Sequence, residues 1–272
     1  MFWGAHSFNQ PLDGWDTSNV TNMHGLFWEA ERFNQPIGHW DTSQVEDMSD
    51  MFSDAWAFNQ PIGGWVTSRV RDMHNMFADA DQFNQPLENW DVHNVRNMHA
   101  MFYNARHFNQ SLGNWNTQNA EDMSFMFCDA RSFNQPLTHW NTSHVVNMDY
   151  MFGRAVSFNQ PVEQWDMSHV RHCMCMFAYA YDFNQSISKW NIGMKLLPIN
   201  YLLRGTKAFD LPQKNKHFAY MCIDPSPLDS FSPPSGAKLT EWLCNVEEIR
   251  RWDNRVLIMN PDVVLKRYSG VY

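Results

Sequence analysis

Residues 33–57 read FNQPIGHWDTSQVEDMSDMFSDAWA, and the chain then opens again on Phe58-Asn59-Gln60. The tripeptide Phe-Asn-Gln begins at Phe8, Phe33, Phe58, Phe83, Phe108, Phe133, Phe158 and Phe183, each 25 residues from the last, without insertion or deletion. Seven residues after each Phe stands a Trp, from Trp15 to Trp190, and an aliphatic column running from Leu12 to Ile187 lies between the two. Val20 heads a column broken only by Ala120, and Met23, Met48, Met73, Met98, Met123 and Met148 follow. A Met-Phe pair recurs from Met1-Phe2 to Met176-Phe177 with Leu26 its one substitution, and Ala5 through Ala180 come three positions on. A fixed period of this size marks stacked supersecondary units, in which each coil contacts only its neighbours. A core column therefore packs against its own copies and cannot drift alone. The variable column Gly14, His39, Gly64, Asn89, Asn114, His139, Gln164 and Lys189 is expected to face water.

Within a unit, Asp47-Met48 followed by Met51-Phe52 and Ala55 spaces apolar residues at i, i+3, i+4 and i+7, which predicts a short helical segment with one buried face. Asn22, Asp47, Asp72, Asn97, Asp122 and Asn147 would cap it, since a short side-chain oxygen accepts from the orphan N–H groups of a first turn. Phe33 to Trp40 is too short and too Pro-bearing for a helix and reads as an extended leg, its sheet interrupted where Pro36 cannot donate. Trp-[Asp/Asn]-Thr-Ser suits a corner closed by Asx- and Ser/Thr-type turns. Asn9 and Gln10 recur without exception to Asn184 and Gln185, and the expectation is structural: polar side chains stacked one per coil satisfy backbone groups that would otherwise cost about 1–3 kcal/mol each.

The full unit resembles the 25- and 26-residue surface-protein repeat of the BspA-like family, which also takes in the mycoplasma repeats of unknown function. The resemblance spans residues 1 to about 193. It implies a leucine-rich-repeat-like fold and, by association, cell-surface or secreted proteins used in adhesion and protein binding. It brings no catalytic residue.

The fold expected is thus a repeat solenoid, leucine-rich-repeat-like, α/β or mainly β, of eight 25-residue coils with short strands and short helical segments over residues 1–193. A degenerate ninth coil or cap is expected over 194–212, with Tyr201-Leu202 in the Met-Phe register and Gly205 where Ala belongs. Residues 213–272 differ in composition and read as a small α+β extension. A Pro/Ser-rich tether spans Asp224 to Ser235, Leu239, Trp242, Leu243, Val246 and Ile249 form an amphipathic stripe, and Arg255 to Met259 is strand-like.

Composition agrees with a copied motif: 13 Trp, 20 Phe and 18 Met among 272 residues, 44% apolar, ample for a core. No stretch approaches the ~18 continuous apolar residues that cross a bilayer. Met1-Phe2-Trp3-Gly4-Ala5 already lies inside a repeat and offers neither charged leader nor apolar h-region, as expected of a longer array begun upstream. Such a start leaves Phe2, Phe8 and Trp15 at an open edge, where end-to-end self-association through the N-terminal coil is expected.

Residues 1–193 hold 9 Lys and Arg against 21 Asp and Glu, a net of −12 in a chain of −9 overall. Nucleic acid is a poor partner for such a surface, because phosphate binding needs clustered Lys and Arg. The partner expected is a protein or a glycan. The five cysteines, Cys128, Cys173, Cys175, Cys222 and Cys244, are too irregular for a disulfide framework; Cys173 fills a Met column and reads as core. His74 and His99 stand on adjacent coils, as do His144 and His169, yet no carboxylate or Cys column completes a metal set. No catalytic, cofactor or metal residue is assigned. The reading is a non-enzymatic binding or structural scaffold. The alternative is an enzyme or effector whose activity sits in residues 213–272, around His217, Cys222 or Asp224, with the array as its targeting arm.

Overall fold

The computed structural model describes residues 1–187, 189–190, 202–203 and 206. The 213–272 extension, with His217, Cys222 and Asp224, lies outside the described residues, as does most of 194–212.

Successive 25-residue units lie in register, with equivalent residues stacked on one another. Phe27, Phe52, Phe77, Phe102 and Phe127 form one continuous ring stack, with successive centroids 5.5–5.6 Å apart. A second stack runs from Phe8 through Phe33, Phe58 and Phe83, and the two meet within each coil, as Phe52 and Phe58 do at 3.9 Å. Trp65 and Trp90 lie parallel at 6.3 Å on a third line. These rings, the Met columns and the Ala column are buried throughout the middle of the array. Stacked aromatic pairs add about 0.5–1.5 kcal/mol each beyond the area they bury. At the first coil Phe2, Phe8, Trp15 and Val20 are only half-buried, since each has a neighbouring coil on one side.

The expected helical segments are absent among the described residues. From Met48 to Phe58 the chain makes consecutive four-residue turns instead: Met51, Ser53, Ala55 and Phe58 donate their N–H to the carbonyls of Met48, Asp50, Phe52 and Ala55. The residues between them donate forward. Met48, Asp50, Phe52 and Asp54 give their N–H to Asp72, His74, Met76 and Ala78 of the following coil, at 2.8–3.1 Å. With Ser49 N–H on the Asp47 side chain, every backbone N–H from Met48 to Ala55 finds an acceptor without the i−4 bonds of a helix. Met48, Met51, Phe52 and Ala55 still point inward.

This alternation needs left-handed backbone at two places per coil. Gly25, Asp50, Asn75, Ala100, Phe125, Tyr150 and Cys175 hold φ between 51° and 57°, and the column from Glu29 to Tyr179 holds φ near 60° in the same way. Gly, Asp and Asn tolerate this region; for Ala100, Phe125 and Tyr150 it costs roughly 1–2 kcal/mol each, which the ordered neighbour coils must offset.

The expected strands reduce to single parallel bridges, Asn22↔Asp47 through Asn147↔His172, and these fall at the supposed cap residues, not in the Pro-bearing leg. Capping chemistry survives in another form: Ser49 N–H donates to Asp47 Oδ1 at 2.9 Å, closing an Asx turn. The corners behave as read, with Ser43 N–H on Asp41 Oδ1 at 2.9 Å.

The C-terminal end departs from the expected register by one residue. Phe152 N–H donates to Met176 O, 24 residues on, but Phe177 N–H donates to Leu202 O, 25 on, at 2.8 Å. Leu202 and Leu203, both buried, therefore stand where Met and Phe stand elsewhere, and Thr206, which donates to Leu203 O, takes the Ala position. Leu202, expected in the Phe column, is thus displaced by one position, while Tyr201 and Gly205 lie outside the described residues.

Candidate functional site

The invariant polar side chains are consumed by the stack. Asn34 Oδ1 accepts from Asn59 N–H at 2.9 Å and from Gln60 Nε2 at 2.9 Å, while Gln60 Nε2 also reaches Asn34 O at 3.0 Å. The pattern repeats to Asn159 with Asn184 and Gln185. The side-chain amide thereby supplies the acceptor that a ladder carbonyl would supply, in a leg where Pro blocks a regular ladder. Thr42 Oγ1 donates to Val66 O at 2.9 Å, and Trp65 Nε1 to Ile37 O at 3.1 Å. These groups are spent on the neighbouring coil and not offered to a ligand.

Specific chemistry is therefore confined to columns that vary. The column of Gly14 and Lys189 faces solvent along the array, as the sequence led us to expect. The turn face carries more. At its inner edge Asn22, Asp47, Asp72, Asn97, Asp122 and Asn147 mix amide and carboxylate: Asn22 Nδ2 donates to Asp47 Oδ2, Asn97 Nδ2 to Asp72 Oδ2 and Asn147 Nδ2 to Asp122 Oδ2. Asp47 and Asp72 alone are adjacent carboxylates in this column. Close by, His74 places Nδ1 2.8 Å from Asp72 Oδ1 and Nε2 3.0 Å from Asp50 Oδ2, bridging the two carboxylates.

His99, its neighbour on the next coil, turns elsewhere: Nδ1 lies 2.7 Å from Ser124 Oγ and the ring meets the edge of Phe125. The pair His74 and His99 thus does not converge. His144 and His169 do stack, at 6.5 Å between centroids, with His144 Nδ1 on Gln118 O at 2.8 Å. Among the described residues no group of three or more His, Cys, Asp or Glu side chains is placed to hold a metal ion.

Two Ser–His contacts have the outline of an activated nucleophile. Ser49 Oγ lies 2.8 Å from His24 Nδ1, and Ser124 Oγ meets His99 in the same manner. In both, however, the hydroxyl donates its proton to a carboxylate, Asp47 or Asp122, so the serine accepts from the imidazole. That polarity is the reverse of a base removing the hydroxyl proton. The buried thiols are equally inert: burial first, and Asp129 or Asp149 second, push Cys128 and Cys173 up to about 12.

At the outer edge of the turn face two columns run side by side. One is Glu29, Asp54, Asp79, Asn104, Asp129, Arg154 and Tyr179; the other is Glu31, Trp56, Asp81, Arg106, Arg131, Val156 and Tyr181. Their side chains touch, as where Arg131 meets Asp129 at 3.3 Å and Arg106 Nε donates to Asn104 Oδ1 at 2.9 Å. Trp56 is 49% exposed on this ridge. Burial holds the Asp79 carboxyl above the ordinary range, opposed by the amide of Asn104 and reinforced by Asp54. The ridge was not legible as a site in the sequence, although the run of Asp, Asn and Gly at the left-handed positions beside it was a usable signal of turns.

A family described as Mycoplasma protein of unknown function, DUF285, matches residues 1–115 and again residues 107–216. No curated protein and no solved structure matches the chain.

Proposed function

From the premise that the chain belongs to the Mycoplasma protein family of unknown function, DUF285, we propose that it is a non-enzymatic binding scaffold. In this reading the stacked coils are a leucine-rich-repeat-like solenoid of the BspA type, carried on a cell surface or secreted, which presents its variable columns to a protein or glycan partner. One observation carries the reading. The polar residues that recur in all eight coils are spent on coil-to-coil hydrogen bonds, as Asn34 is on Asn59 and Gln60, so copying conserves the stack and leaves the exposed columns free to differ. A long regular surface of that kind suits extended partners. The net −12 of residues 1–193 favours partners other than nucleic acid.

The test is binding of the intact chain to panels of immobilised cell-surface proteins and glycans. The outcome expected is saturable binding to one class, lost on substituting variable-column residues such as His39 and Asn114 together while the melting temperature holds. Binding that ignores every exposed-column substitution, or turnover of a substrate by the chain, would overturn it.

A further inference from the structure

The outer ridge of the turn face is charge-polarised along the stack. Its first half carries Glu29, Glu31, Asp54, Asp79 and Asp81, of which Glu31 is met by His6 Nδ1 at 3.1 Å; its second half carries Arg106, Arg131 and Arg154. Asp129, the one acid in the second half, is already met by Arg131 at 3.3 Å and Arg154 at 3.1 Å. Asp81 and Arg106 face each other at the midpoint, 4.0 Å apart. Among the described residues no ion pair joins Glu29, Asp54 or Asp79 to a cation. Beyond that midpoint pair, the outer ends of the two halves cannot reach each other within one chain. Glu29 and Arg154 stand five coils apart, roughly 24 Å at inter-strand spacing, against a screening length of about 8 Å at physiological ionic strength.

We propose that this ridge is a self-complementary interface, on which a second copy of the chain docks antiparallel about a two-fold axis crossing the ridge between Asp81 and Arg106. That symmetry sets coil two against coil seven, three against six and four against five. Glu29 then lies opposite Arg154 of the other copy, Asp81 opposite Arg106, and the exposed indole of Trp56 opposite the Arg131 guanidinium, a cation–π pairing. Asp79 comes opposite Asn104, which already donates to its own chain's Asp79. Asp54 meets Asp129, whose charge its two arginines have neutralised. Each contact occurs twice, because a two-fold interface uses the same patch on both subunits.

The experiment uses the full chain and sedimentation equilibrium. Wild type is expected to dimerise at low ionic strength and to dissociate in molar salt. Glu29→Arg and Arg154→Glu should each weaken the dimer by about tenfold or more, since each sets like charges opposite one another twice. Mixing the two variants should restore a heterodimer, because the introduced arginine of one chain then faces the introduced glutamate of the other and the unaltered pair faces normally. Recovery on mixing also shows that both variants are folded, and equal melting temperatures check it separately. A wild-type chain that stays monomeric at its solubility limit overturns the proposal. So does a dimer that survives both reversals, or one abolished only by Phe2→Asp with Trp3→Lys, which would place the contact at the N-terminal coil.

Discussion

The indole N–H of Trp65 donates to the carbonyl of Ile37, 28 residues earlier, at 3.1 Å. Trp90, Trp115, Trp140, Trp165 and Trp190 repeat the bond to Ile62, Leu87, Leu112, Leu137 and Val162. Trp40 does not: its Nε1 is buried without a partner. Trp90→Phe should therefore cost more stability than Trp40→Phe, by about 1 kcal/mol, the net worth of one hydrogen bond. Urea-unfolding midpoints of the two variants measure the difference, and equal losses would mean that the indole bond contributes nothing beyond its ring.

Truncation of the ring stack should depend on position. Phe102 stacks on Phe77, Phe108 and Phe127, with coils on both sides, so Phe102→Ala should cost about 3–5 kcal/mol. Phe2 stacks on Phe8, Trp15 and Phe27 but has a coil on one side alone. Phe2→Ala should cost clearly less in the same denaturation assay.

The amide ladder makes a sharper demand on one atom. Asn84 Oδ1 accepts from Asn109 N–H at 2.9 Å and Gln110 Nε2 at 3.0 Å. Asn84→Ala leaves a part-buried backbone donor unmet and should cost about 1–3 kcal/mol. Hydrogen exchange at the Asn109 amide should accelerate in step with the loss, while the distant Asn34–Asn59 step keeps its protection.

Asp79 carries a pH dependence of definite sign. Burial raises its carboxyl above the unfolded value, so the folded state favours the proton. The stability this lends is present at acid pH and lost as pH rises through the folded value. Asp79→Asn, which keeps an acceptor for Asn104, should thus raise the melting temperature at neutral pH, and the gain should shrink as pH falls through the carboxylate range. A gain independent of pH would rule out charge burial as its cause.

Cys128 and Cys173, with thiols pushed up to about 12, should resist alkylation at mildly alkaline pH until the array unfolds. Peptide mass spectrometry with and without denaturant reads this site by site.

The period and the identity of the inward columns were already set in the sequence. A side chain that packs against its own copy must recur, so Phe52, Trp65 and Met73 announce themselves, while the drift of Gly14, His39 and Lys189 announces water. Asp41 with Ser43 was legible for a local reason, since an Asx turn spans only two residues and needs no distant partner. The conformation between Met48 and Ala55 was not. Apolar spacing of i, i+3, i+4 and i+7 directs the same side chains inward from a helix or from consecutive turns, and only the acceptor of each N–H distinguishes the two. Asp50 and Asp54 donate to His74 O and Ala78 O in the next coil, acceptors that exist only once that coil is in place. The polarity of the outer ridge has the same origin: Glu29, Trp56 and Arg154 are scattered along the chain, and it is stacking at a fixed rise that sets them on one line.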